Sequence, residues 1–132
     1  MLVVDASLVV EWCAAEERRQ LRELLEDELY APRLLWSEAC SALHERAWRG
    51  DIEPAAADLA RVRLASAAVK ASAPRGLTDE AWRIAELLGW AKTYDAEYVA
   101  LASLLRCRLV TVDARLRRGA DRLGFVVGPT EL

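Results

Sequence analysis

Two aliphatic runs in this sequence end on an aspartate. Leu2, Val3 and Val4 lead into Asp5, and LVTV, residues 109–112, leads into Asp113. Most other acids have company nearby. Glu45 precedes Arg49 by four residues, Glu23 and Glu26 follow Arg19 and Arg22 by four, and Asp79 and Glu80 fall in the first turn of an expected helix. Glu38 and Asp95 stand apart. The helical neighbours of Glu38 are Leu34, Leu35, Ser41 and Ala42, so this carboxylate borders an apolar stripe with no local cation. Asp95 introduces a segment that is apolar almost all round. Taken singly, each acid has an ordinary reading. Asp5, Asp95 and Asp113 can cap helices, and a distant arginine or solvent can serve Glu38. Taken together they admit a chemical one. Carboxylates gathered in one place repel, and hard divalent ions such as Mg²⁺ or Mn²⁺ neutralise them through oxygen ligands. Those ions serve phosphoryl transfer, where they activate water, steady the departing oxygen and offset phosphate charge.

That chemistry requires the acids to meet, and the pattern of elements says how. Residues 2–5 and 109–112 read as buried strands, because short aliphatic runs without alternation suit strands covered on both faces. Further strands are expected at 29–31, 69–73 and 125–127. Helices are expected from Ser7, across 16–27, from Pro32 to Arg49 with a stop at Gly50, from Pro54 toward Lys70, from an N-cap at Thr78 to Gly89, across 95–106, and across 114–123. Strands alternating with helices imply a three-layer α/β/α sandwich around a parallel, roughly five-stranded sheet, in a single domain spanning 1–132. Ligands in such folds bind beyond the carboxyl ends of the strands. Asp5 and Asp113 share that edge, Asp95 begins the helix leading back into strand 109–112, and the helix carrying Glu38 can cover it.

Composition narrows the function classes. The chain has 132 residues, 54% of them apolar, enough for a real core. No apolar run reaches the roughly 18 residues of a membrane span, and the N-terminus lacks a secretory signal, so a cytoplasmic protein with no membrane partner is expected. Cys13, Cys40 and Cys107 are widely spaced and are expected to be buried reduced thiols. His44 is the single histidine, which argues against His-rich metal sites and Ser-His-Asp triads. The net charge of −3 argues against nucleic-acid binding through bulk positive charge, though not against binding through held cations.

VVDAS at the start, SEACSAL on the third helix, YDAEYVALA, and LVTVD before a short helix resemble the PIN-domain ribonucleases. Among these, the VapC-like toxins of toxin–antitoxin pairs are most similar, across essentially the whole chain. The resemblance implies that Asp5, Glu38, Asp95 and Asp113 bind Mg²⁺ or Mn²⁺ and cut RNA phosphodiester bonds. It further implies that Ser7 and Thr111 are hydroxyl groups that orient carboxylates or water. Asp5 and Asp95 are expected to touch the metal directly, with Glu38 and Asp113 completing the cluster. The resemblance also implies a homodimer and a cognate antitoxin that inserts a segment near the site. It departs at Ser41, where the family often has asparagine. Serine keeps the capacity to hydrogen-bond.

Arg115, Arg117, Arg118 and Arg122 crowd the helix after Asp113, where they can steer RNA or face solvent, and Arg46 and Arg49 have the same two readings. Trp12, Trp36, Trp48, Trp82 and Trp90 divide between core and partner surface, with Trp12 expected beside an interface. Two other functions compete. A phospho-acceptor domain needs paired acids after its first strand and a late lysine, but Ala6 follows Asp5 and no lysine lies beyond Lys92. A non-catalytic PIN-fold binding module would bind partners without cutting RNA.

Overall fold

The chain is described from Met1 to Leu132 by a computed structural model. Five short parallel strands form one sheet: β1 Leu2–Val4, β2 Leu29–Ala31, β3 Val69–Ala71, β4 Arg108–Val110 and β5 Val126–Val127. Their spatial order is β3-β2-β1-β4-β5. The chain builds outward from β1 to β3 on one side, then returns to place β4 on the other side of β1. The β1–β4 boundary is therefore the point where the winding reverses, and crevices open at such points beyond the strand ends. Val3 pairs with Leu109 and Val4 with Val110, all four fully buried. This register sets Asp5 and Thr111 side by side one residue past the sheet, with Asp113 two residues further on.

The helices are α1 Ala6–Ala14, α2 Leu21–Leu24, α3 Leu34–Trp48, α4 Pro54–Ala65, α5 Leu77–Leu88, α6 Tyr94–Leu105 and α7 Ala114–Gly119. Short 3₁₀ turns at Asp121–Leu123 and Pro129–Glu131 flank β5. Helices α1, α3 and α4 pack on one another as one layer, and α5 packs on α6, which lies against β1 and β4. Helix α6 carries an uninterrupted buried stretch from Tyr98 to Ala102. Its small residues let it approach the central strands closely, so it holds its first turn firmly against the sheet's carboxyl edge. No helix is long and apolar enough to cross a membrane.

Several expectations are corrected. The helix expected over 16–27 shrinks to the single turn of α2. Ala15 and Gln20 take extended backbone, ψ 160° and 147°, which holds the residues between them out of the helix, and past its end Glu26 is left-handed, φ 53°. The i,i+4 pairs foreseen there do not form: Arg19 pairs with Glu17 at 3.2 Å, and Glu23 accepts from the Gln20 amide at 3.1 Å. Thr78 is not the cap of α5, which begins at Leu77 after the left-handed Gly76. Helix α4 stops at Ala65 rather than near Lys70, and α7 at Gly119 rather than 123. Of the three thiols expected to be buried only Cys13 is; Cys40 is exposed and Cys107 half-buried, and all three are free. Trp12 is buried in the core, its indole N–H donating to the Arg19 carbonyl at 3.0 Å and its ring covered by the Arg63 guanidinium. It therefore offers no interface.

Candidate active site

Asp5 sits where β1 becomes α1 and is 4% exposed. Its carboxylate caps α1, with Oδ1 accepting from the Leu8 amide at 3.1 Å. The Ser7 hydroxyl reaches Oδ1 at 2.8 Å and Oδ2 at 2.9 Å, and the Thr111 hydroxyl donates to Oδ2 at 2.5 Å. Thr111 in turn accepts the Asp113 amide at 3.0 Å, and Ser7 accepts the Val112 amide at 3.3 Å. The two hydroxyls thus tie the end of β1 to the turn after β4. Asp113 caps α7 with Oδ1, which accepts from the Arg115 amide at 2.8 Å and the Leu116 amide at 3.3 Å. Its Oδ2 is left free.

Asp95 does not cap α6. Thr93 occupies the N-cap position, and Asp95 stands in the first turn with its side chain half-buried and no hydrogen-bond partner. Glu38 finds no arginine. Its partner is the hydroxyl of Tyr98, which donates to Oε1 at 2.8 Å from the second turn of α6. Tyr98 was not among the residues singled out by sequence. The signal was present, because Tyr98 lies three residues after Asp95 and so shares its helical face, and a buried tyrosine needs a partner for its hydroxyl.

The four acids line one cleft of about 330 Å³, together with Ser7, Tyr98 and Arg115. Burial is the main cause that raises the pKa of Asp5, against the hydrogen bonds it accepts from Thr111, Leu8 and Ser7; the charge of Asp113 adds to the rise. Glu38 is raised chiefly by burial, opposed by Tyr98 and reinforced by Asp95, Asp5 and Glu97. Asp95 is raised by burial and by Asp113, and Arg115 partly offsets this. Burial pushes the Tyr98 hydroxyl upward, with Glu38 adding, so it remains a donor.

As the side chains stand, no three acids, thiols or imidazoles converge tightly enough to enclose an ion. The chemistry of the donor set nevertheless fits a hard cation. The cleft's possible ligands are carboxylate and hydroxyl oxygens, with no imidazole or thiolate among them. Asp5, Glu38 and Asp95 are held in surroundings that penalise their charge, as sites do that gain from a bound cation.

The remaining candidates separate. Ser41 is exposed, makes no side-chain hydrogen bond and does not line the cleft. Arg115 lines it; Arg118 is exposed and lies outside it. Arg117 is committed to Asp121 at 2.6 Å and Glu131 at 3.0 Å. Arg122 donates to the Leu87 carbonyl. Arg49 pairs with Glu45 and Asp51. Arg46 lines the cleft and pairs with Glu11 across α1 and α3.

A family model described as the PIN domain matches residues 2–122, a span that contains all four acids. The chain belongs to the PIN-domain family. Among curated proteins, this PIN domain is 38% identical over 117 residues to "VapC ribonuclease Mb0985" of Mycobacterium bovis, covering 88% of each chain. The same figures hold for "Ribonuclease VapC9" of Mycobacterium tuberculosis. The crystal structure of PAE2754 from Pyrobaculum aerophilum superposes with a TM-score of 0.72 at 26% identity, over 98% of this chain and 90% of that one. The PIN-domain sheet and the acids at its switch point agree with the fold expected from the strand–helix alternation.

Proposed function

We propose that this PIN domain is a divalent-metal-dependent endoribonuclease that acts as the toxin of a toxin–antitoxin pair. The observation that carries the reading is the meeting of Asp5, Glu38, Asp95 and Asp113 in one cleft at the sheet's switch point. Kinship with proteins named VapC ribonucleases supports the same substrate class.

Asp5 and Asp95 would hold Mg²⁺ or Mn²⁺ directly, with Glu38 and Asp113 completing the set. The bound ion would supply activation of water and neutralisation of charge on phosphate. The chain's own residues do the rest. Ser7 and Thr111 fix the orientation of Asp5, so that its carboxylate does not have to reorganise when substrate arrives. Tyr98 fixes Glu38. Asp113 spends one oxygen on the helix cap and presents the other. Arg115, at the edge of the cleft, draws the phosphodiester toward acids that would otherwise repel it.

A partner protein and a homodimer belong to this reading, as does a cytoplasmic location. Trp48 and Trp82 are 83% and 65% exposed, and Leu59 and Val62 lie exposed on α4. Aromatic side chains of this kind are enriched where partners cover a surface.

The test is cleavage of a mixed RNA pool by the purified, antitoxin-free protein in Mg²⁺, in Mn²⁺ and in EDTA, beside Asp5→Asn. Metal-dependent cutting that vanishes in the variant is expected. Absence of cutting with either metal would favour a binding module instead.

A further inference from the structure

A second cleft, of about 520 Å³, continues from the acidic one and shares Glu38, Asp95 and Arg115 with it. Its other walls have different chemistry. They include Trp90, Lys92 and Tyr94 on the stretch that leads into α6, and Leu116 on α7. Tyr94 is 61% exposed, although it adjoins Asp95 in sequence and opens a helix that is buried from Tyr98 to Ala102. Trp90 is a fixed wall. Its amide donates to the Ala85 carbonyl at 2.9 Å, and its ring lies over Gly119, where a Cβ would come within 3.2 Å of it. Lys92 and Arg115 are exposed and form no ion pair, whereas Arg117 on the same helix as Arg115 is fully engaged.

An acidic cleft repels the phosphates on either side of the one it acts on, so a substrate strand needs cations beside it. An exposed aromatic ring flanked by uncommitted cations is the arrangement on which unstacked bases of single-stranded RNA lie, with their phosphates held alongside. We propose that this second cleft seats the nucleotide flanking the scissile phosphate of a single-stranded RNA. Its base stacks on Tyr94, and its phosphate lies between Lys92 and Arg115. The inference rests on the ribonuclease reading and adds to it a subsite made by Tyr94, Lys92 and Arg115.

The experiment uses the full chain and a short, labelled, mixed-sequence single-stranded RNA, first as anisotropy binding in EDTA, then as initial rates in Mn²⁺. Tyr94→Ala is expected to weaken binding by about 5- to 150-fold, the range for loss of one base–aromatic stack. It should raise KM by a similar factor while kcat stays within about two-fold. Tyr94→Phe, which keeps the ring, should restore both, and Lys92→Ala should lower the salt dependence of binding by about one phosphate contact. Equal binding and KM in wild type and Tyr94→Ala would overturn the subsite. So would a Phe variant as impaired as the Ala variant. If RNA binding were unchanged and capture of a partner protein weakened instead, Tyr94 would belong to a protein interface and the proposal would fall. Wild-type protein that binds RNA but cuts none with any metal would overturn the ribonuclease reading and leave binding to judge the subsite.

Discussion

Tyr98 on α6 donates its hydroxyl to Glu38 Oε1 on α3 at 2.8 Å, joining the two helical layers above the carboxyl edge of the sheet. The tyrosine is 1% exposed and the glutamate half-buried. Without this bond Glu38 would hold a partly desolvated charge with no donor. Tyr98→Phe keeps the ring and removes only the hydroxyl. A hydrogen bond to a charged group is worth roughly 1.5–3 kcal/mol, so kcat should fall about 10- to 100-fold if the bond orients Glu38 during cleavage. Steady-state kinetics on Tyr98→Phe would read this, and an unchanged kcat would show that Glu38 does not need the tyrosine.

Asp113 has two tasks that one substitution separates. Asparagine is as good a helix cap as aspartate, so Asp113→Asn should keep α7 and leave the thermal midpoint nearly unchanged while cleavage is lost. Asp113→Ala should lose cleavage and also about 1 kcal/mol of stability. Urea denaturation of the two variants distinguishes them.

Thr111 is one of two buried polar side chains, the other being Asp5 to which it donates. Thr111→Val preserves shape but takes from Asp5 Oδ2 the shorter of its two hydroxyl contacts, leaving Ser7 at 2.9 Å, and leaves the Asp113 amide without its hydroxyl acceptor. The expected loss is roughly 2–3 kcal/mol, visible as a lower urea midpoint with unchanged slope. Loss of less than about half a kcal/mol would mean that Ser7 or water replaces the contact.

The raised pKa of Asp5 has a stability signature with a definite sign. A carboxyl raised by burial is protonated more readily in the folded chain than in the unfolded one. Its contribution is full below the unfolded value, about 3.9, and is lost as pH rises through the folded value. Asn at this position carries no such titration. In EDTA, the Tm of Asp5→Asn minus that of wild type should therefore grow as pH rises from 4 to 7. A difference that is flat or shrinks over that interval would mean burial does not penalise the Asp5 charge.

The arginines after β4 should divide. Arg115→Ala is expected to weaken RNA binding and reduce its salt slope by about one. Arg117→Ala should leave both unchanged, because that guanidinium is already held by Asp121 and Glu131.

The central strands were legible because their residues leave little choice: LVV and LV are buried in parallel register, and an acid follows each beyond the sheet, Asp5 directly after β1 and Asp113 three residues after β4, which ends at Val110 rather than 112. Asp5 and Asp113 were readable as site candidates on that ground alone. The cap reading of Asp95 failed because the helix begins one residue earlier, at Tyr94, which turns the aspartate off the axis and into the cleft's lining. Residues 16–27 misled because charge spacing describes a helix only if the backbone is helical throughout, and here it is extended at Ala15 and Gln20 and left-handed at Glu26, which composition does not announce. The partner of Glu38 was hidden by distance: Tyr98 lies 60 residues away, and only the packing of α3 against the start of α6 brings them together. Arg117 looked equivalent to Arg115 in sequence, but it is held by Asp121 and by Glu131 at the far end of the chain, whereas Arg115 lines the cleft.

The rate of RNA cleavage as a function of Mn²⁺ concentration, in wild type beside Asp95→Asn, tests the central claim most directly. Asp95 has no hydrogen bond to lose, so its substitution removes charge without dismantling the fold. The account predicts saturable activation by Mn²⁺ in wild type and a loss of at least about 100-fold in the variant, the scale of a missing electrostatic contribution to catalysis. Cleavage independent of Mn²⁺, or equal in both proteins, would place the chemistry elsewhere.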